Sequence, residues 1–556
     1  MSLSGKKWIV KNQDQSLGVF DKLLQIRKLD DPQKQEDFFS DDIQFIPDPF
    51  ELTDMKEGVE RIRKAIDQKE KVMVFGDYDV DGITSSAIVY GFLKQVGVDA
   101  HCTLPSRQDD GYGLKDYFIK QFKEQGIQLL ITVDCGTANF EEIKLAKSLG
   151  IDVVITDHHT VPEMLPPTDV IINPKRDDCN YPNKNLSGSG VAYKLISALA
   201  PYYLSSEVLE AYLFKTIGLA TLGLISDCMP LTGENRILVK HGLKSLQAGT
   251  NPGVFALLKE AGISTDNITS STVGFYIGPR LNAAGRLDHP KHSFELLLGD
   301  LDKANDLNKF NETRKQIVQE YIKDAQDQIN QKQSVPNIIL LRSSDWHIGT
   351  LGLIAGRICD SYHRPTAVVG ENDGDLVCSF RSLDDFDMTG FFREHFPNSF
   401  KSFGGHKLAG GFSMEKDKFD QFSKDLESIS SVKISPDDFS ETLNIDCEIN
   451  PGEFQFSTKH QIDKLEPFGN GNPEPTLIIK NINIDKIRSV GKQGEHLQFP
   501  VEYGDKKFGA IAFRFGHHLD KINPENRYDI AFNLEINEWN GYKKLQMRVV
   551  DMRESE

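Results

Sequence analysis

Along residues 50–230, short apolar runs alternate with helical stretches. Residues 71–75 read as a short buried strand, followed by a loop and a helix over 83–96. Residues 128–133 repeat the pattern, with a helix from about 139 to 149, and residues 152–156 repeat it again. Strands alternating with helices predict a parallel α/β sheet. In such sheets ligands gather at the carboxyl ends of the strands. Residues 235–300 read as mostly helical, and residue 303 to about 333 as one long, polar helix of the kind that bridges two domains. A second α/β segment begins at 337–341 and runs to about 432, with Pro436-Asp437-Asp438 as its boundary.

From about residue 440 the texture changes. Residues 477–479, 496–501, 507–514, 528–538 and 544–550 alternate or are β-branched, and Gly, Asn and Pro separate them. Asn540-Gly541 predicts a hairpin turn. About five antiparallel strands in about 80 residues fit a small barrel, with the OB-fold as first candidate. No internal repeat or low-complexity segment stands out. The chain thus divides into an N-terminal extension (1–49), an α/β domain (50–300), a bridging helix (301–334), a second α/β domain (335–433) and the barrel (434–556).

A length of 556 residues exceeds one ordinary core and fits this division. No run of about 18 apolar residues is evident, which predicts no membrane span. Cys102, Cys135, Cys179, Cys228, Cys359, Cys378 and Cys447 are odd in number, and no two have Cys-x-x-Cys spacing. That argues against a disulfide framework and a structural zinc site, and for a reducing cytoplasm. The net charge of -18 disfavours a protein that grips duplex DNA by bulk charge. A local basic groove remains compatible with it.

The candidate chemistry lies at the strand ends. Gly76-Asp77-Tyr78-Asp79-Val80-Asp81-Gly82 packs three aspartates into one loop. Their mutual repulsion is relieved when cations sit among them. The loop does not complete a calcium-loop pattern, since no Glu stands at the twelfth position. Asp134 ends a second apolar strand, where a helix cap is the plain alternative. Asp157-His158-His159 ends the third: one imidazole can ligate a metal, the other can contact phosphate, and Asp157 can orient a ring. Asp227 ends an apolar helical run. Mixed carboxylate and imidazole ligands suit Mn²⁺ or Mg²⁺ better than zinc.

These motifs, in this order, resemble the DHH phosphoesterase superfamily. Residues 277–286 (Ile-Gly-Pro-Arg-Leu-Asn-Ala-Ala-Gly-Arg) and 465–473 (Leu-Glu-Pro-Phe-Gly-Asn-Gly-Asn-Pro) narrow the resemblance to the bacterial single-strand-specific exonucleases of the RecJ family. The resemblance implies two Mn²⁺ ions, with Mg²⁺ as an alternative. It implies Asp79, Asp81, Asp134, His158 and Asp227 as ligands, Asp77 as an auxiliary, and His159 on the scissile phosphate. The superfamily's pyrophosphatase branch has a histidine where this chain has Phe75. Phe403-Gly404-Gly405-His406 resembles the Gly-Gly-His motif of the DHH-associated domain. Ser379-Phe380-Arg381-Ser382 resembles a 5′-phosphate pocket, with Cys378 and Phe380 in place of glycines. Arg107 and Arg280 are further phosphate candidates. In the barrel, Phe508, Phe513, Arg514, Phe515, Trp539, Tyr542, Lys543 and Lys544 interleave rings and bases as single-strand binders do.

The expected activity is metal-dependent 5′-to-3′ hydrolysis of single-stranded DNA to mononucleotides, in repair and recombination, beside a single-strand-binding protein and a helicase. Two alternatives share the motifs: an oligoribonucleotide nuclease or nucleotide phosphatase, and a non-catalytic replication scaffold. The barrel and the long helix favour a polymer substrate, and the intact aspartates argue against a scaffold.

Overall fold

The computed structural model describes residues 2–555 except 108, 109, 112, 373, 436–438, 440, 485, 505, 540 and the side chain of Trp539. The expected boundary at 436–438, the Asn540 turn position and the Trp539 ring therefore lie outside the described residues. The chain forms two compact units. One comprises Asp41–Lys433 with Gly469–Asn472; the other comprises Met1–Ser40, Ile434–Phe468 and Pro473–Glu556.

The first unit contains a fully parallel five-stranded sheet in the order Ala100–Thr103, Val72–Gly76, Leu129–Val133, Asp152–Thr156, Val170–Ile172. Every residue of Val72–Gly76 and Leu129–Val133 is buried. Helices cover both faces, which is why these strands read as unbroken apolar runs. The two edge strands were not predicted, because three or four residues are too few to show a period.

Helix Val80–Gln95 is buried on nearly every side and packs against Gly188–Leu199 and Ser206–Ser226. Helix Ser206–Ser226 corrects the expectation that no apolar run is long enough to span a membrane: by length and composition it is. Its C-terminal half, Thr216–Leu224, is buried, and the helix packs against Val80–Gln95, Gly188–Leu199 and Gly233–Gln247. Most of its N-terminal half, residues 206–215, is exposed.

The predicted bridging helix is Lys303–Asn330. Ala304 and Leu307, near its start, enter the core of the first α/β domain, and Ala325 and Ile329 enter that of the second. The second sheet has the order Ser402–His406, Ala409–Glu415, Asp375–Arg381, Thr366–Asn372, Ile339–Arg342. Only its last pair is parallel.

The second unit is the OB-fold domain. Its five expected strands are Leu477–Asn483, His496–Tyr503, Lys506–Ala512, Arg527–Trp539 and Tyr542–Glu554. Lys506–Ala512 runs parallel to Tyr542–Glu554, not antiparallel. The sheet also contains Arg488–Val490, Thr442–Glu448 and Lys7–Asn12, the last pairing parallel with Thr442–Glu448. Residues 1–40 of the expected N-terminal extension are thus built into this unit. Val19, Leu23 and Leu24 of helix Val19–Ile26 lie in its core. No local pattern announces a strand whose partner lies more than 400 residues away.

The fully buried Asp551 carboxylate fixes this N-terminal segment. It accepts hydrogen bonds from Ser4 N and Oγ and, at 2.9 Å, from Trp8 Nε1. Hydrogen bonds to a charged acceptor contribute about 1.5–3 kcal/mol each before relaxation. We expect Asp551→Ala to lower the urea midpoint of this unit and to shift Trp8 emission to the red. An unchanged midpoint and spectrum would show that backbone pairing alone holds the segment.

Candidate metal and phosphate site

The carboxyl ends of three adjacent strands bring Asp77, Asp79, Asp81, Asp134 and His158 together, and the end of helix Ser206–Ser226 adds Asp227. Ligand atoms within 4.8 Å of one another form three overlapping sets: Asp77, Asp79 and Asp134; Asp81, His158 and Asp227; and Asp134, His158 and His159. Asp79 also caps helix Val80–Gln95, accepting from the amides of Asp81 and Gly82. Asp81 is gripped by the N-terminus of Gly188–Leu199, whose Gly188 and Ser189 amides donate to it at 2.6 and 3.0 Å. A helix N-terminus stabilises such an anion. A carboxylate has about four lone-pair sites, so both aspartates keep capacity for a cation.

Two glycines allow this approach. A side-chain carbon at Gly188 would fall 2.5 Å from Asp134, and one at Gly223 would fall 2.1 Å from Asp81 Oδ1. Asp134 itself adopts a left-handed backbone, φ 59°. Such a conformation is costly for a non-glycine residue and concentrates at functional sites.

The side-chain geometry fits a cation. His158 Nε2 lies 3.1 Å from Asp134 Oδ1, 3.6 Å from Asp227 Oδ2 and 3.7 Å from Asp81 Oδ2. Even so, Asp77 Oδ1, Asp134 Oδ1 and Asp227 Oδ2 are buried without a hydrogen-bond partner. Short distances without hydrogen-bond alignment are what ligands facing a shared centre show. The donor set, hard carboxylate oxygens with one imidazole, is that of a divalent cation.

The electrostatics agree. Burial, then the charge of Asp79, raises the Asp77 carboxyl to about 8. Burial, then Asp81, raises Asp227 to about 8 as well, and Asp79 and Asp134 shift upward for the same reasons. The cluster therefore favours protonated carboxyls until positive charge is supplied. Burial lowers His158 to about 4 despite its carboxylate neighbours, leaving it neutral, as a metal ligand must be.

His159 differs from its neighbour. Burial would lower it, but the hydrogen bond and charge of Asp157 outweigh that and raise it to about 9. Asp157 Oδ1 lies 2.8 Å from His159 Nδ1 and also accepts from the amides of His158 and His159, while Oδ2 accepts from Thr137 N. The imidazole that Asp157 orients is thus His159, whose side chain is 38% exposed. Phe75 is fully buried and packs edge-on against Phe118 and Phe122. The position that holds a histidine in the pyrophosphatase branch is core here.

The phosphate candidates separate into two groups. Ser379 and Arg381 lie on one face of Asp375–Arg381, whose alternation buries Cys378 and Phe380 on the other. Phe380 joins a ring cluster with Phe392 and Phe403, so the two lost glycines are filled core positions. A side-chain carbon at Gly352, in the first turn of helix Leu351–Tyr362, would lie 3.0 Å from Arg381 Nη2 and 3.1 Å from Ser379 Oγ. Gly404, Gly405 and His406 form the edge strand, in register with Gly411, Gly410 and Ala409, which pair in turn with Ser379, Phe380 and Arg381.

Arg107 stacks over the Tyr78 ring, 4.6 Å from its centroid. The residue that sequence reasoning passed over is Arg286, the last of the 277–286 motif. Burial lowers its guanidinium to about 9, and Arg107, Arg314 and Arg381 push the same way. Like charges gathered in this way call for an anion. Arg280 lies elsewhere: it donates to Asn308 Oδ1 and Tyr276 O, whereas Arg286 donates to Gly349 O. The second motif, 465–473, has a local role at the site. Asn470 donates to Cys228 O and accepts from Leu231 N, clasping the turn that follows Asp227.

Comparison with known proteins follows this anatomy. The DHH family N-terminal domain matches residues 71–223, the DHHA1 domain residues 335–431, and the RecJ OB domain residues 445–551. The single-stranded-DNA-specific exonuclease RecJ of Haemophilus influenzae is 35% identical over 522 residues, covering 90% of this chain and 91% of that protein. The Escherichia coli RecJ is 32% identical, covering 89% and 90%. The Bacillus subtilis RecJ is 32% identical over 92% of this chain, which spans 64% of that longer relative. The crystal structure of Thermus thermophilus RecJ in complex with Mn²⁺ superposes with a TM-score of 0.82 at 26% identity, covering 99% of this chain and 80% of that one. Its complex with Mg²⁺ gives 0.77. With its three domains matched in order and its acidic cluster at the strand ends, the chain belongs to the RecJ family of DHH proteins.

Proposed function

We propose that this protein is a divalent-metal-dependent exonuclease that degrades single-stranded DNA from its 5′ end and releases mononucleotides. One observation carries the reading: the aspartate–histidine cluster and the Arg107–Arg286–Arg314–Arg381 group occur in one compact unit, and Arg107, 4.6 Å over the ring of Tyr78 between Asp77 and Asp79, brings the two together. An acidic cluster that holds cations beside a basic group that holds a terminal phosphate is the arrangement an end-directed phosphodiesterase requires. The relatives' names supply the substrate: single-stranded DNA.

Asp79, Asp81, Asp134, His158 and Asp227, with Asp77 as auxiliary, would hold two Mn²⁺ ions or, less favourably, Mg²⁺. Such cations supply the Lewis acidity that polarises a phosphodiester and activates water. Asp157 keeps His159 protonated and fixed through Nδ1, so that its other nitrogen donates to the phosphate as negative charge develops there. Ser379, Arg381 and Arg286 hold the 5′-terminal phosphate, with the first turn of Leu351–Tyr362 adding backbone donors. Gly404, Gly405 and His406 line the strand's path. On the OB-fold domain, Phe513 and Tyr542 are solvent-exposed and available for stacking, whereas Phe508 and Phe515 pack against the barrel core. An enzyme confined to unpaired strands needs a strand-separating activity upstream, so a helicase and a single-strand-binding protein are the partners proposed. The seven free thiols suit a reducing cytoplasm.

The deciding assay is degradation of end-labelled single and double strands, DNA and RNA, with Mn²⁺ and Mg²⁺. Mononucleotides released from the 5′ end of single-stranded DNA support the reading. Preference for short RNA or free nucleotides would favour the smaller-substrate alternative, and no cleavage the scaffold.

Metal binding is testable by stability alone. Saturating Mn²⁺ should raise the melting temperature by on the order of 5 °C. Without divalent cations, Asp77 and Asp227 stay protonated in the fold up to about pH 8, whereas in the unfolded chain they ionise near the ordinary value of 3.8. Stability should then fall as pH rises from about 4 to about 8, and Mn²⁺ should flatten that fall. Asp134→Asn should match or exceed the parent in EDTA and lose the Mn²⁺ shift. A retained shift would remove Asp134 from the ligand set.

His159→Ala should reduce kcat by about 10²–10³ while Mn²⁺ affinity, measured by calorimetry, stays close to the parent's. A marked loss of Mn²⁺ would make His159 a ligand, as its grouping with Asp134 and His158 would allow. Arg381→Ala should shrink the preference for 5′-phosphate over 5′-hydroxyl oligonucleotides, a preference of roughly tenfold or more for one charge-assisted contact. Equal loss of kcat/KM on both substrates would place Arg381 on the internal backbone.

A further inference from the structure

A second binding feature sits beside the cluster. Residues Val273–Ile277 form a single π-helical turn between the short helix Ser270–Thr272 and helix Gly278–Leu287. Such turns are rare and often mark functional positions. Gly274, Phe275 and Tyr276 are three consecutive exposed residues on it, with Phe275 76% and Tyr276 43% exposed. The turn is buried on its other side, through Val273 and Ile277.

Its location is fixed by the two flanking glycines. A side-chain carbon at Gly274 would lie 3.8 Å from Ile225 Cγ2, and one at Gly278 2.8 Å from Ser226 Oγ. Ile225 and Ser226 immediately precede Asp227, so the rings flank the segment that presents this aspartate to the cluster. The turn is also braced from behind. Arg280 Nη1 donates to Tyr276 O at 2.9 Å while its Nε donates to Asn308 Oδ1 at 3.0 Å, tying the turn to the bridging helix. Arg280 is close enough to Arg314 to lower its guanidinium further, after burial and Arg357. Glu312, 4.0 Å from Arg280 Nη2, acts on Arg314 in the opposite sense.

We infer that Phe275, with Tyr276 beside it, is a stacking platform for a nucleobase of the single strand within a few nucleotides of the scissile phosphate. The inference rests on the single-strand reading above. An exposed aromatic pair on a braced turn has little to do for folding, and a phenyl face next to the segment that presents Asp227 matches what an unpaired nucleotide offers there: a flat base close to the reacting phosphate. Stacking would also set part of the strand preference, because a base held in a duplex has no free face for the ring.

The test uses the full chain carrying Asp134→Asn, so that substrate is bound without being cut, and a 3′-labelled, 5′-phosphorylated DNA oligonucleotide read by fluorescence anisotropy. Phe275→Ala should weaken binding on the order of tenfold, as loss of one base–aromatic stack generally does, and Phe275→Trp should retain it. A single abasic site, moved one nucleotide at a time from the 5′ end, should weaken the parent by a similar factor at one position and add nothing there in Phe275→Ala. Unchanged binding by Phe275→Ala, or abasic losses that multiply with it at every position, would overturn the platform while leaving the single-strand reading standing. Failure of the Phe275 parent to bind single strands at all would overturn both. Unchanged melting temperatures in the Phe275 variants show that the loss is not one of folding.

Discussion

Four or more carboxylates brought together out of water repel one another, and the first unit is organised around that constraint. Nothing in the sheet itself needs Asp77, Asp79, Asp81 and Asp134 at adjacent strand ends. Their neighbours offset the cost in part. Asp81 has the amides at the N-terminus of Gly188–Leu199, Asp79 those of the helix it caps, and Asp157 a charged imidazole. What remains uncompensated is specific: three buried carboxylate oxygens and a neutral His158, all facing one another. The fold is complete as a protein but its charge is balanced only with cations present, so metal binding and local stability are one quantity.

The close packing follows from the same constraint. Helices Gly188–Leu199 and Ser206–Ser226 must come within van der Waals reach of the carboxylates to deliver amides and exclude water. Gly188 and Gly223 are the points where they do so. The half of Ser206–Ser226 nearest Asp227, residues Thr216–Leu224, is the part that is buried there.

Much of this was legible in the sequence because the strand-end chemistry is local. An apolar run followed by aspartates within a few residues fixes both the strand and where its carboxylates lie. The Asp-His-His triplet needs no long-range information beyond its strand. What was not legible depends on distant pairing. Lys7–Asn12 becomes a strand only because Thr442–Glu448 accepts it, and Arg286 becomes significant only when the bridging helix and the second sheet bring Arg314 and Arg381 to it. Arg280 and Arg286 look alike in a motif six residues apart, and only their surroundings separate a brace of the turn from a member of the arginine group. The altered residues Cys378 and Phe380 pose the reverse problem: they look like damage to a glycine-rich pocket until strand alternation places them in the core, leaving Ser379 and Arg381 on the opposite face.

The two charged groups also explain how an acidic protein can select a nucleic-acid end. A chain of net charge -18 repels DNA at long range, and its carboxylate cluster would repel a phosphate most strongly of all. The arginine group has the opposite charge: burial lowers the Arg286 guanidinium, and Arg107, Arg314 and Arg381 push the same way. Cations change the sign of the first site and a phosphate neutralises the second. A substrate that offers a doubly charged terminal phosphate and, one linkage away, a phosphodiester can satisfy both at once, whereas an internal segment of strand presents only singly charged linkages. End recognition then follows from charge balance at two neighbouring sites, without requiring the protein's surface as a whole to be basic.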